Sequence, residues 1–110
     1  SALARGLGSR GYGSVQFLDL GGNSSLGDDG LRALVPALSA GLIRLAINDC
    51  SIGDAGMIAL AAVLPSKNNL RTLDVGYSPG VTPKGWAALG GAVGRMPHLE
   101  ELYRLRFTIH

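Results

Sequence analysis

The chain has 110 residues, with 10 Lys and Arg against 8 Asp and Glu and a formal charge of +2 at neutral pH. That is one domain's worth of chain, with no basic run to bind nucleic acid by charge and no apolar run of the roughly 18 residues that a membrane span needs. The single cysteine, Cys50, allows no internal disulfide and suits a reducing compartment, so an intracellular, cytoplasmic location is expected.

Taken in order, residues 1–14 read as the tail of an earlier repeat, because Leu3 and Leu7 share the spacing of Leu34 and Leu38. Within them Gly6 to Gly11 matches GxGxxG. Dinucleotide binding needs a strand before that motif and a helix after it. Here a helix-like ALARGL precedes and a strand-like VQFLDL follows, so no cofactor site is read.

A strand pattern then opens at Val15–Leu20 and returns at Leu42–Ile47, Leu70–Val75 and Leu99–Leu102. Val15, Leu42, Leu70 and Leu99 lie 27, 28 and 29 residues apart, which is the signature of a repeat array. The divisions are 15–41, 42–69, 70–98 and 99–110, the last incomplete because Arg104 stands where a core residue is expected. Side chains alternate along a strand. Leu18 and Leu20 therefore point inward, and Phe17, Asp19 and Gly21 outward. The outward set continues with Arg44, Ala46 and Asn48, then Thr72, Asp74 and Gly76, then Glu101 and Tyr103.

Beyond each strand stands a small side chain able to hydrogen-bond: Asn23, Cys50 and Ser78. The backbone turns there, and its polar groups need partners. Asn23 is expected to be buried in that role, which disfavours Asn23–Ser24–Ser25 as a glycosylation acceptor. Cys50 reads as a member of the same column, since nothing cationic flanks it to make a reactive thiol.

Helix starts follow. Gly27, Gly53 and Thr82 occupy the N-cap column, and Asp28, Asp54 and Pro83 the first helical position. Gly30, Gly56 and Gly85 allow close approach. Then come Leu31/Leu34/Val35/Leu38, Met57/Leu60/Ala61/Leu64 and Trp86/Leu89/Gly90/Val93, each one face of a helix. Trp86 is thereby assigned to the core. Pro36 predicts a short or kinked first helix. Gly90 and Gly91 weaken the third, and Pro65 and Pro97 act as stops.

These columns, written LxxLxLxx(N/C)x(I/L)G(D)xGxxxLAxxL, resemble a leucine-rich repeat of the long, ribonuclease-inhibitor-like subfamily over residues 15–105. That subfamily also forms the sensing ends of innate-immune receptors and the Ran GTPase-activating proteins. The resemblance implies an α/β fold, a leucine-rich repeat solenoid in the form of a curved horseshoe segment. Its parallel strands would line the concave face and its helices the convex face. Column Asn23, Cys50, Ser78 would be the family's asparagine ladder.

No HExxH, CxxC, P-loop or nucleophile elbow is present, and His98 and His110 lie outside ligand spacing. No catalytic, metal or cofactor residue is read, and the chain is not expected to be an enzyme. A protein partner is expected on the concave strand face. Its contacts would come from Phe17, Asp19, Arg44, Asn48, Asp49, Thr72, Asp74, Tyr77, Glu101 and Tyr103. Charge reversals at Asp19, Arg44 and Asp74 are then expected to weaken the partner and leave folding intact. The alternative is a structural subunit of a large assembly, held through open ends and convex helices, because neither end reads as a cap. A GTPase-activating accessory role rests on fold analogy alone.

Overall fold

The computed structural model describes residues 15–104. The tail read over 1–14, its GxGxxG included, and the residues from 105 onward lie outside that range. Four three-residue strands, β1 (Phe17–Asp19), β2 (Arg44–Ala46), β3 (Thr72–Asp74) and β4 (Glu101–Tyr103), form one parallel sheet in chain order. Helices α1 (Gly27–Leu34), α2 (Asp54–Val63) and α3 (Pro83–Val93) fill the crossovers that parallel strands require. The register aligns Leu18, Leu45, Leu73 and Leu102.

The strands are shorter than the apolar pattern suggested, yet pairing runs past their ends. Leu20 donates to Ala46 at 2.8 Å, Gly22 to Asn48 at 2.9 Å and Asp49 to Gly76 at 3.0 Å. Between sheet and helices, Leu31, Leu34, Leu45, Ile47, Met57, Leu60, Leu73 and Val75 are wholly buried. Among the described residues no helix is long and apolar enough to cross a membrane, and no group of His, Cys, Asp and Glu could hold a metal.

Each ladder residue fixes its own turn. Asn23 Nδ2 donates to the Leu20 carbonyl at 2.6 Å, and Ser78 Oγ to that of Val75 at 2.7 Å. Cys50 Sγ donates to the Asn48 carbonyl of its own turn at 3.4 Å and also reaches across to the Leu20 carbonyl of the previous repeat at 3.0 Å. Burial pushes the Cys50 thiol above its ordinary pKa, which suits a packing role. Asn23, by contrast, is exposed and not buried as expected. Among the described residues a neighbouring turn stacks on only one side of it.

Helix starts hold a second correction. The α1 cap is Leu26, one residue before the expected Gly27. Gly27 instead takes a left-handed φ of 63° and gives its N–H to the Cys50 carbonyl of the next repeat at 3.0 Å. Gly53 and Thr82 do cap α2 and α3, and Pro83 opens α3. Pro36 shortens α1 as anticipated: the α-helix stops at Leu34 and a 3-10 turn, Val35–Ala37, follows. Pro65 likewise sits within a 3-10 turn, Leu64–Ser66, that prolongs α2.

The two aspartates at the helix starts bond forward, each to the next repeat. Asp28 Oδ1 accepts the Gly53 N–H at 2.7 Å and the Gly56 N–H at 2.9 Å. Asp54 Oδ1 accepts the Thr82 N–H at 2.8 Å and the Gly85 N–H at 3.1 Å, and its Oδ2 accepts the Thr82 hydroxyl. Each carboxylate thus satisfies N–H groups that a helix start leaves unpaired. The Thr82 hydroxyl first, then the N–H groups and the Lys84 charge, holds the Asp54 carboxyl below its ordinary pKa of 3.8. A depressed folded-state pKa stabilises at every pH above the ordinary value, and the stabilisation disappears as pH falls through the lowered one. The stability difference between wild type and Asp54→Asn is therefore expected to be constant near neutrality. It should narrow as thermal melts are taken below about pH 4, and a gap that does not change with pH would contradict the bonding described.

On α3 the expected apolar face is only partly buried. Leu89 is buried, Trp86 and Val93 are half-buried, and Gly90 is exposed, whereas Val35 and Ala61 in the same column are covered. No described helix lies beyond α3 to cover that column. Trp86 is roofed instead by Arg104, whose guanidinium carbon lies 5.3 Å from the ring centroid, a cation–π distance. Added methyl groups at Gly90 and Gly91 would meet nothing within 4 Å. Gly90→Ala and Gly91→Ala are expected to raise stability by about 0.5–1 kcal/mol each through helix propensity, measurable by urea denaturation.

Candidate interaction face

The strand register converts the outward residues into columns. One runs Phe17, Arg44, Thr72, Glu101 and the next Asp19, Ala46, Asp74, Tyr103. Strands about 4.8 Å apart place each side chain beside its column neighbours. Past the strand ends lie Asn48, Asp49 and Tyr77.

Exposure divides the ten expected contact residues. Phe17 (65%) and Tyr77 (50%) are exposed, as are Asp19, Asp49 and Glu101. Arg44, Asn48 and Tyr103 are half-buried. Thr72 and Asp74 are buried, Asp74 almost completely at 1%. Both lie on β3, which has a paired strand on either side, and there they lose their water. Contrary to expectation, Asp74→Lys would not spare the fold, because that change would put an ammonium where a bonded carboxylate is buried.

Local bonds account for much of this face. Asp74 Oδ1 accepts the Gly76 N–H at 2.9 Å, and Asp19 Oδ1 accepts the Gly21 N–H at 2.9 Å. Both are aspartate turns at a strand exit. Glu101 gathers two neighbours, accepting the Thr72 hydroxyl at 3.1 Å and the Tyr103 hydroxyl at 2.9 Å. The Asn48 amide lies against Gly21 of the previous repeat, where a methyl group would come within 2.5 Å of its oxygen. What remains open is a rim of Phe17, Asp19, Asp49, Tyr77 and Glu101, mostly acidic with two aromatic rings.

Sequence reading missed the carboxylate bonds between repeats, the Glu101 junction and the Arg104–Trp86 stack. The first had a visible signal, an acid at the helix start with a glycine 28 or 31 residues later, at Asp28–Gly56 and Asp54–Gly85. The other two join residues that no motif links.

Comparison with known proteins agrees with this architecture. A family model described as leucine-rich repeat matches residues 14–35 and 42–61. Leucine-rich repeat-containing protein 73 of rat and that of human are each 38% identical over 94 residues, covering 81% of this chain and 29% of that protein. The chain thus spans less than a third of the curated relatives it matches. Among solved structures, leiomodin-1 actin-binding site 2 superposes with a TM-score of 0.72 at 18% identity, over 86% of this chain and 57% of that one. Two matched repeats, a parallel sheet in chain order and helices in every crossover make this chain a segment of leucine-rich repeat solenoid.

Proposed function

We propose that the chain is a non-catalytic protein-interaction module, of the long ribonuclease-inhibitor-like kind, that holds a protein partner along its concave strand face. Leucine-rich repeat domains are in general interaction modules, and solenoids offer such a face as one extended surface. The observation that carries the reading is the open rim itself. Phe17 and Tyr77 expose large aromatic surface beside Asp19, Asp49 and Glu101, and aromatic residues are frequent anchors of interfaces. The partner's identity is not given by the fold likeness to an actin-binding domain, which makes purified actin one candidate to test among others.

A second reading draws on the convex side. Between Asp54 and Lys67, and again between Lys84 and Arg95, the chain has no charged residue. Ala55, Ile58 and Ala62 on α2 and Ala87 on α3 are nonetheless exposed. An uncharged outer helix face suits a subunit fixed in a larger assembly.

Photo-crosslinking amino acids placed singly at Phe17, Arg44 and Glu101, and at Ala55, Ile58 and Ala87, separate the two. Crosslinks from Phe17 and Glu101 that disappear in Asp19→Lys/Arg44→Glu, in a chain that still melts cooperatively, are expected. Crosslinks confined to the helix positions would transfer the function to the convex side.

A further inference from the structure

The turn that leaves each strand passes through left-handed backbone at one fixed place, occupied by Gly22 (φ 83°), Asp49 (φ 55°) and Tyr77 (φ 50°). Glycine takes that conformation freely and aspartate tolerates it, but for a bulky side chain it is an outlier. Burial gives Tyr77 little in exchange, since half of its surface stays in water. Neither backbone preference nor the core accounts for a tyrosine at this position. Strain held at an exposed site points towards a role outside folding.

The neighbouring turn supplies the complement. Asp49 is exposed, and its N–H bonds to the carbonyl of Gly76, the residue before Tyr77. The two turns therefore lie side by side, with a carboxylate and a phenol ring at equivalent positions. We propose that Tyr77 and Asp49 together receive one arginine side chain of a protein partner. A guanidinium is planar, so it can stack on the ring while donating two N–H groups to the carboxylate. Lysine offers a point charge without the flat face and fits less well. This assignment rests on the reading that the partner lies along the strand side, and it names the partner's chemistry at one point.

The test uses a displayed library of short linear peptides selected on the whole chain. Arginine is expected at one recurrent position of the selected peptides. Tyr77→Gly and, separately, Asp49→Ala are expected to weaken those peptides about tenfold or more. Exchanging that arginine for lysine should weaken them as well. Tyr77→Gly should melt no lower than wild type, because glycine relieves the left-handed backbone. Tyr77→Asn provides a second variant, since asparagine also accepts that conformation. Failure to select peptides, selected peptides without arginine, or affinity unchanged in both Tyr77 variants would overturn the assignment. So would a clear drop in melting temperature for both, which would make the ring a packing residue. If crosslinks from Phe17 and Arg44 survive Tyr77→Gly, this assignment falls while the strand-face reading stands.

Discussion

Leu45→Ala and Leu73→Ala are each expected to lower the free energy of unfolding by about 2–5 kcal/mol. Both side chains are wholly buried, paired in register across the central strands, and packed between sheet and helices. Removing three carbons there leaves a cavity that the stacked repeats on either side cannot collapse to fill. A domain of this size has only about 5–15 kcal/mol in total, so either change is a large fraction of it. Leu18, in the same column on the first strand, is only half-buried, and Leu18→Ala should cost distinctly less. Guanidinium denaturation of the three variants checks the order. Equal losses at all three would show that the described column is not graded by burial.

Gly56→Ala is expected to destabilise by about 2–4 kcal/mol, although alanine is the better helix former by about 1 kcal/mol. Its new methyl group would meet the Asp28 carboxylate, which bonds the N–H groups of Gly53 and Gly56. The carboxylate would be displaced, and hydrogen bonds to a charged group are worth about 1.5–3 kcal/mol each. Asp28→Ala alone should lose the same bonds. The double variant should then cost less than the sum of the two, because the methyl group no longer has a carboxylate to displace and meets only Ile52 Cγ2 at 3.2 Å and Asp28 Cα at 3.3 Å. A double-mutant cycle reads this as a coupling of at least about 1 kcal/mol between residues 28 positions apart. Strict additivity would mean that the methyl group does not act through the carboxylate.

Periodicity made the fold legible. The spacing of Leu42, Leu45 and Ile47, repeated three times over, is a constraint written within each repeat, and all three are buried. Pro36 and Thr82 could be read in the same way, because a proline or a capping threonine acts on its own few neighbours. The face was harder. Thr72 and Asp74 alternate with core residues just as Phe17 and Asp19 do, yet they are buried. What separates them is place in the sheet: β3 is paired on both sides, whereas β1 is the first described strand and is paired on one. Gly27 misled for a similar reason: its φ of 63° serves a bond to Cys50 in the following repeat. Residue choices answering to a neighbour in the next repeat are invisible when each repeat is read by itself.

The forward-reaching aspartates also decide how this array could be lengthened. A repeat carrying both an acid at its helix start and a glycine two residues on accepts one carboxylate and offers another. The middle repeat, with Asp54 and Gly56, does both, so a tandem duplicate of it should slot in beside the original with every helix start still bonded. In the third repeat Pro83 occupies the acid's place. A copy grafted behind that repeat would receive no carboxylate, and its helix would need a capping side chain of its own. Growth by duplication is thus favoured in the interior of the array and disfavoured behind α3.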